Sequence, residues 1–366
     1  MSTHFSSPSS ARQALMPTSN LLSRKHRLLG WLMAAGLVLS TTQTLADAIP
    51  SGEVITANER GTSLTRINLT SGDATTQSIG IAPHNIQVSA YGRYLMAVGE
   101  ATSGGDNHGS GHAHGEAPGK LKLYTADDPT GAPVASIEVG SHPAHVVSDL
   151  EGRFAFVTNA GGDSVSVVDL ETKEAVNTVT TGKSPHGLRL SPDGRELYVA
   201  NVLDGSVSVI DVASQNEVAR LAVGQAPVQV GFTPDGTWVF VSLRDENRVA
   251  VIDTASREVV ERIEVGRLPI QVHATADGQF MLVANEGTEA EPDNRVSVID
   301  LDSRTVVATY GVGAGAHGIS VDDTGRFAFI TSLYNDSLSV IDLEAGAVIS
   351  RYDTGKGPNG ITWVNH

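Results

Sequence analysis

Residues 184–212 read SPHGLRLSPDGRELYVANVLDGSVSVIDV, and residues 226–254 read APVQVGFTPDGTWVFVSLRDENRVAVIDT. The second stretch restates the first 42 residues later. A proline leads into an alternating run, a Pro-Asp-Gly turn, a second run, a polar turn, and a third run that ends on aspartate. Alternation with period two puts successive side chains on opposite faces, which is the mark of a β-strand, and Pro-Asp-Gly or Leu-Asp-Gly supplies the turns. In the first stretch the runs are GLRLS, ELYVAN and SVSVIDV, and VARLAVG follows as a fourth. No helical periodicity interrupts them.

The proline anchor recurs at Pro83, Pro143, Pro185, Pro227, Pro269 and Pro358, with Ala316 in the same slot, at spacings of 60, 42, 42, 42, 47 and 42. The terminal aspartate recurs at Asp169, Asp211, Asp253, Asp300 and Asp342. Four short strands in a unit of about 42 residues make the signature of a β-propeller blade, and seven anchors mean seven blades. After Pro358 there is room for one strand, GITWVN, while the stretch after residue 48 supplies EVITAN, SLTRINL and TTQSIGI. Together they complete a blade and close the ring, which hides the free sheet edges. The expected fold is all-β: a single seven-bladed propeller over 49–366.

AFVTN (155–159), LYVAN (197–201) and LVANE (282–286), each leading to a VSVID-type strand and a Val-Gly turn before the anchor, resemble the YVTN-type propeller repeats. The resemblance spans roughly residues 50–366. It implies the architecture and leaves activity open, since its relatives include propeller domains of haem-containing nitrite reductases, lactonase-like propellers and exported proteins of unknown role. Fold alone does not assign function.

Ahead of the propeller, Arg24, Lys25 and Arg27 precede an apolar run Leu28–Leu39, and Ala46-Asp47-Ala48 offers a small-residue cleavage site. That order is a secretory signal peptide over 1–48, and the run is shorter than the roughly 20 residues a membrane span needs. The expected location is the periplasm. Without residues 1–48 the chain keeps 21 basic and 40 acidic residues, a formal −19. Such a surface repels nucleic-acid phosphates and anionic lipid. There is no cysteine, which excludes disulfides, thiolate metal sites and covalently attached c-type haem.

Residues 106–116, DNHGSGHAHGE, interrupt the first blade. From Arg93 to Lys120 is 27 residues where the matching step from Arg153 to Ser164 is 11, so the segment within 101–118 is an insertion of 16 between the second and third strands. In a meander that turn opens on the same face as the turns between blades. His84, His142, His145, His186 and His317 sit in or beside those inter-blade turns, next to the anchor. His108, His112 and His114 lie in the insertion. Imidazole is the commonest protein ligand for zinc and copper, and several converging donors are needed. These eight histidines are the candidate metal ligands, with His84 and His145 the best fixed partners and Asp106 and Glu116 as added oxygen donors. With only Met96 and Met281 left after the signal and no cysteine, Zn(II) or Cu(II) fits better than Cu(I). If three or more histidines share the ion, affinity should fall by more than one tenfold step per unit towards pH 5.

Alternation from the anchor places Asn85, Gln87, His145, Arg189, Gln229, Gln271, His273 and Thr362 towards the channel. No acid stands on an innermost strand, which counts against carboxylate catalysis, and no catalytic residue is expected. A second insertion, 285–294, carries Glu286, Glu289, Glu291 and Asp293 and reads as a solvated acidic loop, or else a docking patch or cation-attracting rim. GAGAHG (313–318) mimics a dinucleotide motif but precedes a strand rather than a helix. The repeating aspartates read as turn caps.

The expected function is an exported, monomeric metal-binding propeller that passes Zn(II) or Cu(II) to a periplasmic solute-binding protein or an apoenzyme. Its layout resembles exported zinc-chaperone propellers, which pair a propeller with a histidine-rich loop. The alternatives are a haem- or tetrapyrrole-linked periplasmic protein or enzyme related to the nitrite-reductase propellers, and a non-catalytic protein–protein scaffold.

Overall fold

The computed structural model describes residues 50–102, 118–126 and 131–365. The expected signal segment 1–48 and the insertion bearing Asp106, His108, His112, His114 and Glu116 lie outside the described residues. Among the described residues no helix is long and apolar enough to cross a membrane.

The strands, numbered β1 to β28 in chain order, form seven four-stranded antiparallel sheets. The closing blade joins β28 (Pro358–Val364) to β1 (Glu53–Asn58), then β2 (Ser63–Asn68) and β3 (Ala74–Ser78). Val54 faces Trp363 and Ile55 faces Thr362 across that seam. The innermost strands of the other blades are β4 (Ile81–Val88), β8 (Pro143–Ser148), β12 (Pro185–Leu190), β16 (Pro227–Phe232), β20 (Pro269–Ala274) and β24 (Ala316–Val321). The TTQSIGI run divides, with Ile81 opening β4 instead of ending β3.

The core lies between blades. Tyr198, Val207 and Val209 of one sheet pack with Val230, Val239, Val241 and Ile252 of the next, all fully buried. Outer strands such as β15 (Asn216–Ala222) alternate exposed and half-buried positions, as a strand with one wet face must.

The repeat residues have structural work at the ring's upper end. Asn201 of LYVAN donates from Nδ2 to Ser206 Oγ at 3.0 Å and Ser208 Oγ at 2.9 Å. Asn159 does the same with Ser164 and Ser166. The glycine before the anchor is fixed by this amide: a Cβ on Gly140 would lie 2.5 Å from the Asn159 side chain. The aspartates cap their turns as expected, Asp253 Oδ1 accepting the Ala255 and Ser256 N–H groups at 2.9 and 2.8 Å.

One feature departs from simple alternation. The innermost strand of every blade shifts register just after the anchor. Pro143 pairs with Asn159 and Val146 with Val157, so Ala144 and His145 together oppose Thr158. Pro83 pairs with Gly99 and Asn85 with Val98, leaving His84 as the extra residue. Equivalent shifts occur in the other five blades. An extra residue bends a strand and re-aims its side chains. The first and second positions after the anchor therefore share the mouth of the channel, whereas strict alternation admits only the second.

Candidate metal centre

His84 on β4, His145 on β8 and His186 on β12 come from three successive blades, and each offers a ring nitrogen within 4.8 Å of the others. The His84 and His186 ring centroids are 5.0 Å apart at 87°, those of His145 and His186 5.0 Å at 57°, and those of His84 and His145 5.8 Å at 74°. Three nitrogens held about 2 Å from one Zn(II) lie about 3.3 Å apart.

Each ring is braced from behind. His84 Nδ1 faces Glu59 Oε1 at 3.1 Å, and Glu59 Oε2 accepts the Asn359 amide at 2.6 Å. His186 Nδ1 faces the Val228 carbonyl at 3.2 Å. The Gln229 amide donates to His145 Nδ1 at 3.4 Å, and Thr158 Oγ1 fixes the strand by accepting the His145 backbone N–H at 2.9 Å. A carboxylate or backbone carbonyl on the far nitrogen is how metal-bound imidazoles are oriented and made more basic.

The three rings differ in charge. Burial lowers His145 well below the ordinary histidine value, and the neighbouring His186 and His84 push it further. Burial, then His84, takes His186 to about 3. Burial also opposes charge on His84, yet Glu59, with Glu286 and Glu100 behind it, outweighs burial and raises His84 above the ordinary value. Glu59 itself is disfavoured as an anion by burial, but His84 and Asn359 more than compensate and bring it to about 2.

The remaining candidates are placed differently. His317 is buried on β24, its Nδ1 on the Asn359 carbonyl at 3.1 Å and its Nε2 3.5 Å from Glu286 Oε2. It is electrostatically coupled to His84, His145 and His186 but lies outside the three-nitrogen group. His142 stands at the rim against Glu100, not in the group. Of the expected channel residues, Asn85, Gln229, Gln271 and Thr362 are buried and Gln87 reaches the Ile361 carbonyl. Arg189 and His273 line a separate cavity with Gly231 between them.

The tip of the acidic insertion is exposed, as expected of a solvated loop, and its acids are paired with arginines. It extends the hairpin of β21 (Phe280–Gly287) and β22 (Pro292–Asp300). Glu289 pairs with Arg60, Glu291 with Arg267, and buried Asp293 with Arg295. Glu286 turns inward instead, accepting from the Tyr334 hydroxyl beside His317. Sequence reasoning missed Glu59 because it searched innermost strands for acids. The signal was present one residue beyond the repeat asparagine: Glu59 follows Asn58, Glu286 follows Asn285, and Glu100 follows Gly99 in the matching slot.

Residues 132–242 match the family described as YNCE-like beta-propeller. Together with the ring of seven four-stranded blades, that match decides the architecture. The chain is a seven-bladed propeller, and residues 132–242 carry its likeness to the YNCE-like family. Among solved structures the chain is similar to Kuenenia stuttgartiensis hydrazine synthase, with a TM-score of 0.66 and 22% identity over 79% of this chain and 96% of that one. It is also similar to a functionally unknown protein from Desulfotomaculum acetoxidans, with a TM-score of 0.69 and 15% identity over 86% of this chain and 99% of that one. At these identities the likeness is one of fold. No curated protein matches the sequence.

Proposed function

We propose that this propeller binds one divalent transition-metal ion, Zn(II) or Cu(II), through His84, His145 and His186, and that it acts after export as a metal-carrying protein for a periplasmic partner. The carrying observation is the meeting of three imidazoles from three blades, with ring nitrogens within 4.8 Å of one another. Three neutral histidines with an open fourth position are a recurrent set for both ions. Braced far nitrogens on His84 and His186 favour a ligand role over simple packing. The spacing favours an ion over a tetrapyrrole, which could not fit between rings whose centroids are 5.0 to 5.8 Å apart.

The open position faces the mouth, where Glu286 and His317 supply further donors along the way out. The histidine-rich insertion, expected on the same face from the turn it interrupts, fits a capture role that raises the local ion concentration. Metal content measured on protein purified without added metal tests the reading. One equivalent in the wild type and none in the His84→Ala/His145→Ala/His186→Ala variant supports it; equal content in both contradicts it.

A further inference from the structure

The fifth position of each innermost strand, counted from the anchor, forms a ring lower in the channel: Gln87, Val147, Arg189, Gly231, His273, Ser320 and Thr362. Gly231 has no side chain, and it stands on β16 between Arg189 on β12 and His273 on β20. A cavity of about 350 Å³ is bounded by Arg189, Gly231, His273 and the strand-turn residues Pro192, Phe232 and Pro234. Those turns join first to second strands, so the cavity lies at the end of the channel opposite the three histidines.

Its polar groups are unusual. Arg189 bonds through Nη1 only to the Leu188 carbonyl, at 3.0 Å, and no carboxylate among the described residues forms an ion pair with it. Burial alone pulls its pKa down, to about 10, with no acid opposing. Asp322 and Asp323 also border the cavity. Asp322 accepts the Phe327 N–H at 2.9 Å and the Thr324 hydroxyl within its own turn, and exposed Asp323 accepts the Asn365 amide at 3.5 Å. A sheltered guanidinium is ordinarily paired, and its fork matches a carboxylate. His273 Nδ1 donates to the Ala274 carbonyl at 2.8 Å, and burial with Arg189 lowers the ring to about 4. It is therefore neutral at neutral pH, with Nε2 left as an acceptor.

We propose that this cavity binds a small hydroxylated organic acid, its carboxylate on the Arg189 guanidinium, its hydroxyl donating to His273 Nε2, and its carbon skeleton against Phe232, Pro192 and Pro234. The volume exceeds what inorganic phosphate would fill, and the apolar wall favours a carbon-bearing ligand. None of these residues belongs to the metal site, so the cavity stands or falls independently of it.

Mandelate carries all three features and phenylacetate lacks the hydroxyl, so calorimetric titration of the purified protein with each, and with inorganic phosphate, tests the assignment. Mandelate should bind saturably, with phenylacetate and phosphate each weaker by about tenfold or more. Arg189→Lys keeps the charge but loses the fork and should weaken mandelate by about tenfold. His273→Leu should bring mandelate and phenylacetate to similar affinity, a ratio that partial loss of folded protein cannot mimic. No saturable mandelate binding to the wild type overturns the proposal, as does phosphate binding as tightly as mandelate, or Arg189→Lys with unchanged affinity.

Discussion

His84 Nε2 lies 3.0 Å from His186 Nε2. His186 Nδ1 faces a carbonyl and must carry a hydrogen, and with a pKa of about 3 the ring is neutral, so its Nε2 is an acceptor. His84 Nε2 is then the donor, and its Nδ1 donates to the Glu59 carboxylate. In the metal-free protein His84 is thus a doubly protonated ring between an anion and a neutral imidazole. A metal ion must displace its Nε2 proton.

That arrangement sets the pH dependence of binding. His145 and His186 are neutral throughout the physiological range, and His84, raised above its ordinary value, holds the one competing proton. Affinity should rise by about one tenfold step per pH unit below the raised His84 value, and level off above it. This replaces the steeper fall expected from counting histidines, because burial has already stripped two of the three. Competition titrations at four pH values measure the slope; a slope of two or more contradicts these protonation states.

Stability of the metal-free protein should move in the same direction. In the unfolded chain His145 and His186 take up protons near pH 6.5, but the folded chain refuses them until much lower pH. Their contribution is full above about 6.5 and is lost as pH falls towards 3. Raised His84 has the opposite sign, being favourable below 6.5 and lost as pH rises through its folded value. Two lowered groups outweigh one raised group. The apo melting temperature should fall between pH 7 and pH 5, and His145→Gln/His186→Gln should flatten that fall. A melting temperature that rises on acidification contradicts the assignment.

Much of the fold was legible in the repeat. The Asn-Ser and Asp-turn slots recur at fixed spacing, so blade count, ring closure and capping followed from local chemistry and period. The site was less legible because it depends on a one-residue bulge that no residue type announces. His84 and His186 read as turn residues, although the bulge turns them inward beside His145. The acids of the mouth were hidden for a related reason. Glu286 lies at the end of a second strand and Glu59 just beyond one, and only closure of the ring brings Glu59 to His84 and Glu286 to His317.

Glu59 should act through His84. Glu59→Gln keeps a hydrogen-bond acceptor while removing the charge, and should weaken metal binding by about tenfold above the His84 pKa. At pH 6 the loss should be smaller, because the same change releases the competing proton more readily. Dissociation constants at pH 6 and pH 8 check this; equal losses at both would reduce Glu59 to a packing role.

The strand-borne histidines should dominate the graded substitutions. His84→Ala, His145→Ala and His186→Ala should each cost about a hundredfold in affinity, against little for His108→Ala or His142→Ala. A rigid strand loses little entropy on binding. Deleting 104–118 should leave the tight site intact and remove only weaker ions or slow their capture. Loss of the tight site on that deletion, measured by calorimetry, contradicts the placement.

The repeat asparagine should be worth a measurable share of stability. Asn201→Ala removes two amide bonds to Ser206 and Ser208 inside a buried corner and should cost about 1–3 kcal/mol in denaturant unfolding. A loss within a few tenths would mean that water replaces the amide.

The central claim is that one ion sits among three blades, and diffraction at a metal absorption edge tests it most directly. Crystals of the purified protein equilibrated with one equivalent of Zn(II), collected on both sides of the zinc edge, should show a single strong anomalous peak about 2 Å from a ring nitrogen of each of His84, His145 and His186. An anomalous map with no peak among these rings, while zinc is bound elsewhere on the protein, would contradict the account.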